Sequence, residues 1–134
     1  MIYLDTSAMV KLVVAEPESE ELIDWLNERL THAPIVTSII GRVELHRAAL
    51  RAGAEAMAAA REVLDGVDTL VLTEPIAALA GTMVPAELRT LDALHLATAE
   101  IHREGLTAIC AYDRRLVDAA RARKLPVVAP GVSV

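Results

Sequence analysis

Four short apolar runs, residues 1–4, 34–38, 67–72 and 106–112, are each followed at once by a helical pattern. Strands that alternate with helices in this way build a parallel sheet covered by helices on both faces. Residues 6–15 read as a first helix that Pro17 stops, and a second, starting at Glu18 or Ser19 with an acidic first turn, runs to about residue 30. A third spans 39–51 before Gly53, and an Ala-rich fourth covers 55–64. Helices over 74–83, from a Thr90 cap to Gly105 and over 113–124 follow, with a short last strand at 127–129 after Pro126. The expected fold is an α/β, three-layer α/β/α sandwich around a central parallel sheet. Its 134 residues fit a single domain, 1–134.

That topology gives meaning to four acidic residues far apart in the chain. Asp5 ends the first strand, Glu44 lies in the second turn of its helix, Asp92 follows Thr90 by two positions, and Asp113 follows the fourth strand at the cap position of the last helix. Strands of a parallel sheet finish on the same edge, so side chains at successive strand-to-helix junctions converge there. A long Glu in a second turn reaches back to that edge, because helical side chains tilt towards the N-terminus. Singly, each residue has a plain explanation. Asp5 and Asp113 can cap helices, Asp92 can favour a helix dipole, and Glu44 can be a solvated helix-face residue paired with Arg47. Together they form a carboxylate cluster, which repels itself unless a cation joins it. Oxygen ligands suit a hard divalent ion such as Mg²⁺ or Mn²⁺, so the pattern points to metal-assisted phosphate chemistry.

Composition narrows the alternatives. A net charge of -6 excludes a protein that coats nucleic acid by bulk attraction. One Trp, two Tyr and no Phe leave little for a base-stacking platform. The lone Cys110 sits in an apolar run and reads as a buried thiol without redox chemistry. The N-terminus enters a strand directly, without a basic region or cleavage site, so a cytoplasmic, non-membrane protein is expected. His46 and His95 have no partners at zinc-ligand spacing; His95, one turn after Asp92 on the same face, fits a supporting role better than direct catalysis. Glycine-rich phosphate loops and nucleophile elbows are absent. A haloacid-dehalogenase-type phosphatase would want an Asp two residues after the first, where this chain has Ser7.

Four segments carry a likeness to a known family: Met1-Ile-Tyr-Leu-Asp5-Thr-Ser-Ala, Ser38-Ile-Ile-Gly-Arg-Val-Glu44-Leu, Leu88-Arg-Thr-Leu-Asp92-Ala-Leu-His-Leu-Ala-Thr-Ala and Ala111-Tyr-Asp113-Arg-Arg-Leu. In order and spacing they resemble the PIN-domain ribonucleases, specifically the VapC toxins of bacterial toxin-antitoxin pairs. The resemblance implies a homodimeric endoribonuclease in which Asp5, Glu44, Asp92 and Asp113 hold one or two Mg²⁺ or Mn²⁺ ions. It also implies that Thr6 and Ser7 orient the first Asp or a bound water, with Ser38 as a further donor. Arg42, Arg89 and Arg114 become candidate contacts for the phosphates of an RNA substrate. A cognate VapB-like antitoxin is implied too, its C-terminal segment bringing a basic residue to the carboxylates. The apolar face of the second helix, with Leu22, Ile23, Trp25, Leu26 and Leu30, offers either core packing or a partner surface. A catalytically silent PIN-like module that binds RNA or a partner is the alternative.

Overall fold

Ile2, Tyr3 and Leu4 are fully buried and form β1 (Ile2–Leu4), the middle strand of the sheet. The computed structural model describes residues 1–132; Ser133 and Val134, the end of the expected domain, lie outside the described residues. Around β1 stand β2 (Ile35–Ser38), β3 (Asp68–Leu70), β4 (Ala108–Cys110) and β5 (Val127–Val128), in the order β3-β2-β1-β4-β5. Every pairing is parallel, as the alternation of elements requires.

Seven α-helices connect the described strands: α1 (Thr6–Val13), α2 (Ser19–Asn27), α3 (Ile39–Ala52), α4 (Ala54–Asp65), α5 (Glu74–Gly81), α6 (Thr90–Ile101) and α7 (Arg114–Ala122). Alternating side chains on the strands divide the core in two. Ile2, Leu4 and Cys110 pack with the helical layer α1–α4 through Met9, Leu22, Leu45 and Leu64. Tyr3, Ile109 and Ala111 pack with α5–α7 through Ile76, Leu96 and Leu116. Burying side chains of this size contributes about 1.5–3 kcal/mol each, so the sandwich rests on both faces of β1. Burial pushes the Cys110 thiol up to about 12, leaving it protonated and inert.

Several boundaries differ from the sequence expectation. The third run contributes only Asp68–Leu70 to the sheet, because Val71 and Leu72 pass the end of β2 and lie exposed while Thr73 caps α5. The fourth is likewise trimmed to Ala108–Cys110. Thr90 is the first residue of α6 and Arg89 occupies the cap position, without a side-chain cap. That helix stops at Ile101, and a 3-10 turn, Arg103–Gly105, completes the connection. The second helix ends at Asn27, short of residue 30; Leu22 and Leu26 enter the core, whereas Ile23 on α2 and Leu30 beyond its end are exposed, and Trp25 is half-buried beneath the Arg29 guanidinium. No helix of the described residues is long and apolar enough to cross a membrane.

Gly41, in the first turn of α3, lets that helix press against the end of β2. A Cβ there would stand 2.3 Å from Thr37 Oγ1, 3.1 Å from Met9 Cε and 3.3 Å from His95 Cε1. Thr37 cannot retreat freely, since its buried hydroxyl donates to the Leu4 carbonyl at 2.7 Å. Gly41→Ala is therefore expected to destabilise the protein by about 1–3 kcal/mol despite alanine's better helix propensity, as read from urea denaturation. A neutral or stabilising result would show that α3 can move away without loss.

Candidate active site

The chain runs outward from β1 to β2 and β3, then returns across the sheet to β4 and β5. Such a reversal, here beyond the carboxyl ends of β1 and β4, is the usual ligand site of open parallel sheets. Asp5 follows β1 there, and Asp113 follows β4 three residues beyond Cys110. Each caps the helix it precedes: Asp5 Oδ1 accepts the Ala8 amide at 2.9 Å, and Asp113 Oδ1 accepts the Leu116 amide at 3.1 Å.

Asp5 is 3% exposed, the most enclosed of the four carboxylates. The Ser7 hydroxyl donates to it at 2.7 Å and itself accepts the Tyr112 amide at 2.9 Å, joining the ends of β1 and β4. Asp5 thus does the capping itself, with Ser7 bound to its carboxylate. Burial pushes the Asp5 carboxyl up to about 6, opposed by His95, the Ser7 hydroxyl and the Ala8 amide, with neighbouring Asp92 adding to the rise.

Glu44 reaches the same edge from α3. Its Oε1 accepts from the Thr6 hydroxyl at 2.7 Å and lies 2.7 Å from His95 Nε2, so Glu44 is paired with these two groups and not with Arg47. Burial pushes the Glu44 carboxyl up, but the bonds from His95 and Thr6 outweigh it and hold the group below its ordinary value. His95 is 1% exposed, and its Nδ1 lies 2.6 Å from the Tyr3 hydroxyl.

Asp92 and Asp113 share a cation from the chain itself. The Arg89 guanidinium donates to Asp92 Oδ2 at 3.2 Å and to Asp113 Oδ2 at 3.4 Å. Hydrogen bonding to Asp92 leads the causes that raise the Arg89 pKa, with the charges of Asp92, Asp113 and Glu44 contributing. A positive group therefore stands where the acidic residues meet, as a carboxylate cluster requires. All four supply oxygen donors, the set a hard divalent ion prefers. Among the described residues no three such side chains are spaced to hold one ion as they stand, so a metal site here needs side-chain rotation around Arg89.

The remaining expected contacts are distributed differently. Ser38 is buried and accepts the Gly41 amide at 3.0 Å, which commits its hydroxyl to capping α3. Arg42 donates to the carbonyls of Leu64 and Val67, both at 3.3 Å, and so closes the C-terminal end of α4 instead of facing a phosphate. Arg114 is exposed on the β5 side, in a groove of about 660 Å³ shared with Trp25, Tyr112 and Arg121. Tyr3 is the one site neighbour that sequence reasoning missed. Its strand position indicated burial, but nothing local to it indicated a polar partner 92 residues away.

Comparison with other proteins places the fold among known ones. The PIN domain profile matches residues 2–122. Ribonuclease VapC47 of Mycobacterium tuberculosis is 46% identical over 133 residues, spanning 98% of both chains, and Ribonuclease VapC35 of the same organism is 44% identical with the same coverage. Among solved structures, VapBC2 from Rickettsia felis bound to a promoter DNA fragment superposes with a TM-score of 0.78 at 14% identity, covering 97% of this chain and 99% of that one. The sarcin-ricin loop-cleaving toxin VapC20 of Mycobacterium tuberculosis gives 0.67 at 21% identity, covering 89% and 95%. Matched along most of its length and nearly half identical to whole relatives, the chain belongs to the PIN domain family.

Proposed function

We propose that the protein is a metal-dependent endoribonuclease toxin that hydrolyses RNA phosphodiester bonds and is neutralised by a VapB-like antitoxin. What supports this reading is that Asp5 and Asp113 follow the two strands at the switch point of a PIN fold, Arg89 bridges Asp92 and Asp113, and Glu44 bonds Thr6 next to Asp5. Relatives at 44–46% identity over nearly the whole chain are named ribonucleases, which supports the activity. Structural neighbours described as toxin-antitoxin complexes support the partner. A homodimer remains part of the proposal through the family likeness.

Bound Mg²⁺ or Mn²⁺ would supply Lewis-acid polarisation of the scissile phosphate and activation of water. The chain's own residues supply the frame. Asp5 is held by Ser7 and the Ala8 amide, and Glu44 by Thr6 and His95. Asp92 and Asp113 each turn Oδ2 towards Arg89, whose side chain is 65% exposed and free to exchange carboxylate partners for a phosphate. A carboxylate of this set accepts the proton of the attacking water. Thr6, Ser7 and Arg89 are the supporting residues of the reading; Ser38 and Arg42 serve the fold.

Asp5→Asn and Asp92→Asn should each abolish divalent-dependent cleavage of RNA and relieve growth arrest on expression, while far-ultraviolet circular dichroism stays unchanged. Sequencing 5′ ends of RNA from cells expressing the wild type or Asp5→Asn checks cleavage and identifies the target. Full activity in both variants would sink the proposal.

Asp5 also sets a pH dependence. Its carboxyl rises from 3.8 to about 6 on folding, so the native state binds more protons than the unfolded state between these values. Stability of the metal-free protein is expected to fall as pH rises through that window, by up to about 3 kcal/mol. In EDTA at pH 7.5, Asp5→Asn should melt higher than the wild type, and Mn²⁺ should stabilise the wild type far more than the variant. A lower melting temperature for Asp5→Asn in EDTA would mean that the ionised carboxylate itself holds the fold together.

A further inference from the structure

The polar groups around Glu44 form a directed chain through the protein interior. Tyr3 and His95 are buried to 0% and 1% exposure, come from β1 and α6, and meet at 2.6 Å. Burial pushes the Tyr3 phenol well above its ordinary value, so it remains protonated and can donate to Nδ1. With Nδ1 accepting, the neutral ring carries its proton on Nε2, the atom 2.7 Å from Glu44 Oε1. This tautomer is assigned from the hydrogen-bond partners. Thr6 donates to the same oxygen, so Oε1 takes two donors while Oε2 has no hydrogen-bond partner among the described residues. An ordinary buried histidine needs its ring nitrogens satisfied, but it does not need a carboxylate from the opposite helical layer whose side chain is 24% exposed to water. Gly41 leaves the space that the ring occupies, since a Cβ there would stand 3.3 Å from His95 Cε1.

We propose that Tyr3 and His95 are positioning residues for Glu44, fixing its carboxylate through Oε1 so that Oε2 is presented as a ready metal ligand. The inference rests on the metal-dependent reading above and deepens it. Losing the Tyr3 hydroxyl acts at a distance. Without that donor His95 is free to adopt the other tautomer, which turns an Nε2 lone pair against the Glu44 carboxylate.

The test measures affinity for Mn²⁺ alone, followed by the electron paramagnetic resonance of the free ion, with thermal melting as a check on folding. Tyr3→Phe and His95→Leu are expected to weaken Mn²⁺ binding by about tenfold, in the range found for groups that orient metal ligands. His95→Gln, which keeps an N–H donor, should recover part of the loss. In a Glu44→Gln background, His95→Leu should add less than about a twofold further change, because the interaction is already gone. A loss fully additive to that of Glu44→Gln would overturn the proposal, as would wild-type affinity in folded Tyr3→Phe. If His95→Leu fails to fold, Tyr3→Phe decides. Should Glu44→Gln bind Mn²⁺ like the wild type while Asp5→Asn and Asp92→Asn do not, the positioning proposal falls and the metal-dependent reading stands. Unchanged affinity in all three carboxylate variants would remove both.

Discussion

A carboxylate buried at the end of the middle strand is the constraint around which this fold is arranged. Asp5 sits where β1, β4 and α1 meet, almost without access to water, and an unpaired charge there would be costly. Its neighbours answer that cost in part. The Ala8 amide comes from the helix Asp5 caps, while Ser7 links the carboxylate to the Tyr112 amide beyond β4. The same bonds that solvate Asp5 therefore also tie the end of β1 to the segment beyond β4. Because the carboxyl still lies near 6, the compensation is incomplete, and the site remains one that gains from an added cation.

A second tie connects the helical layers. Glu44 projects from α3, whose apolar face packs in one half of the core, and His95 from α6, which packs in the other. Their bond passes around the carboxyl edge of the sheet, with Thr6 between them at 3.2 Å from His95 Nε2. Shifting either helix would break it, so packing on both faces of β1 controls the placement of one carboxylate. This is how a site on helix starts acquires the rigidity of the sheet.

The features legible in the sequence were those determined by local chemistry. Apolar runs followed by helical patterns identified the parallel sandwich, and Asp5 and Asp113 were found at the cap positions because strand ends and helix starts adjoin in the chain. Glu44 was reachable through helix geometry alone. What escaped depends on distant approach. Arg42 lies two residues from Glu44, yet it turns to the carbonyls ending α4, a choice made only once α4 packs beside α3. Arg89 rather than Thr90 takes the cap position because Arg89 has extended backbone and the helix begins one residue later. The Tyr3–His95 bond joins residues 92 positions apart, and β1 shows only three apolar residues in a row.

Arg89 explains how Asp92 and Asp113 stand together without a metal. Its side chain is largely exposed, and ion pairs in that setting contribute about 0–1 kcal/mol, too little to lock the site. That weakness is the useful property. A buried arginine would impose a large penalty on any ion that displaced it, whereas an exposed one offsets part of the charge of Asp92 and Asp113 and, on the proposed reading, would yield to a divalent cation at small cost. The guanidinium is tethered one residue before α6, next to Asp92 and Asp113, where the proposed reading would bring a phosphate. On the proposed reading, a protein of net charge -6 would engage a polyanion through such a local exchange of cations, without relying on bulk attraction.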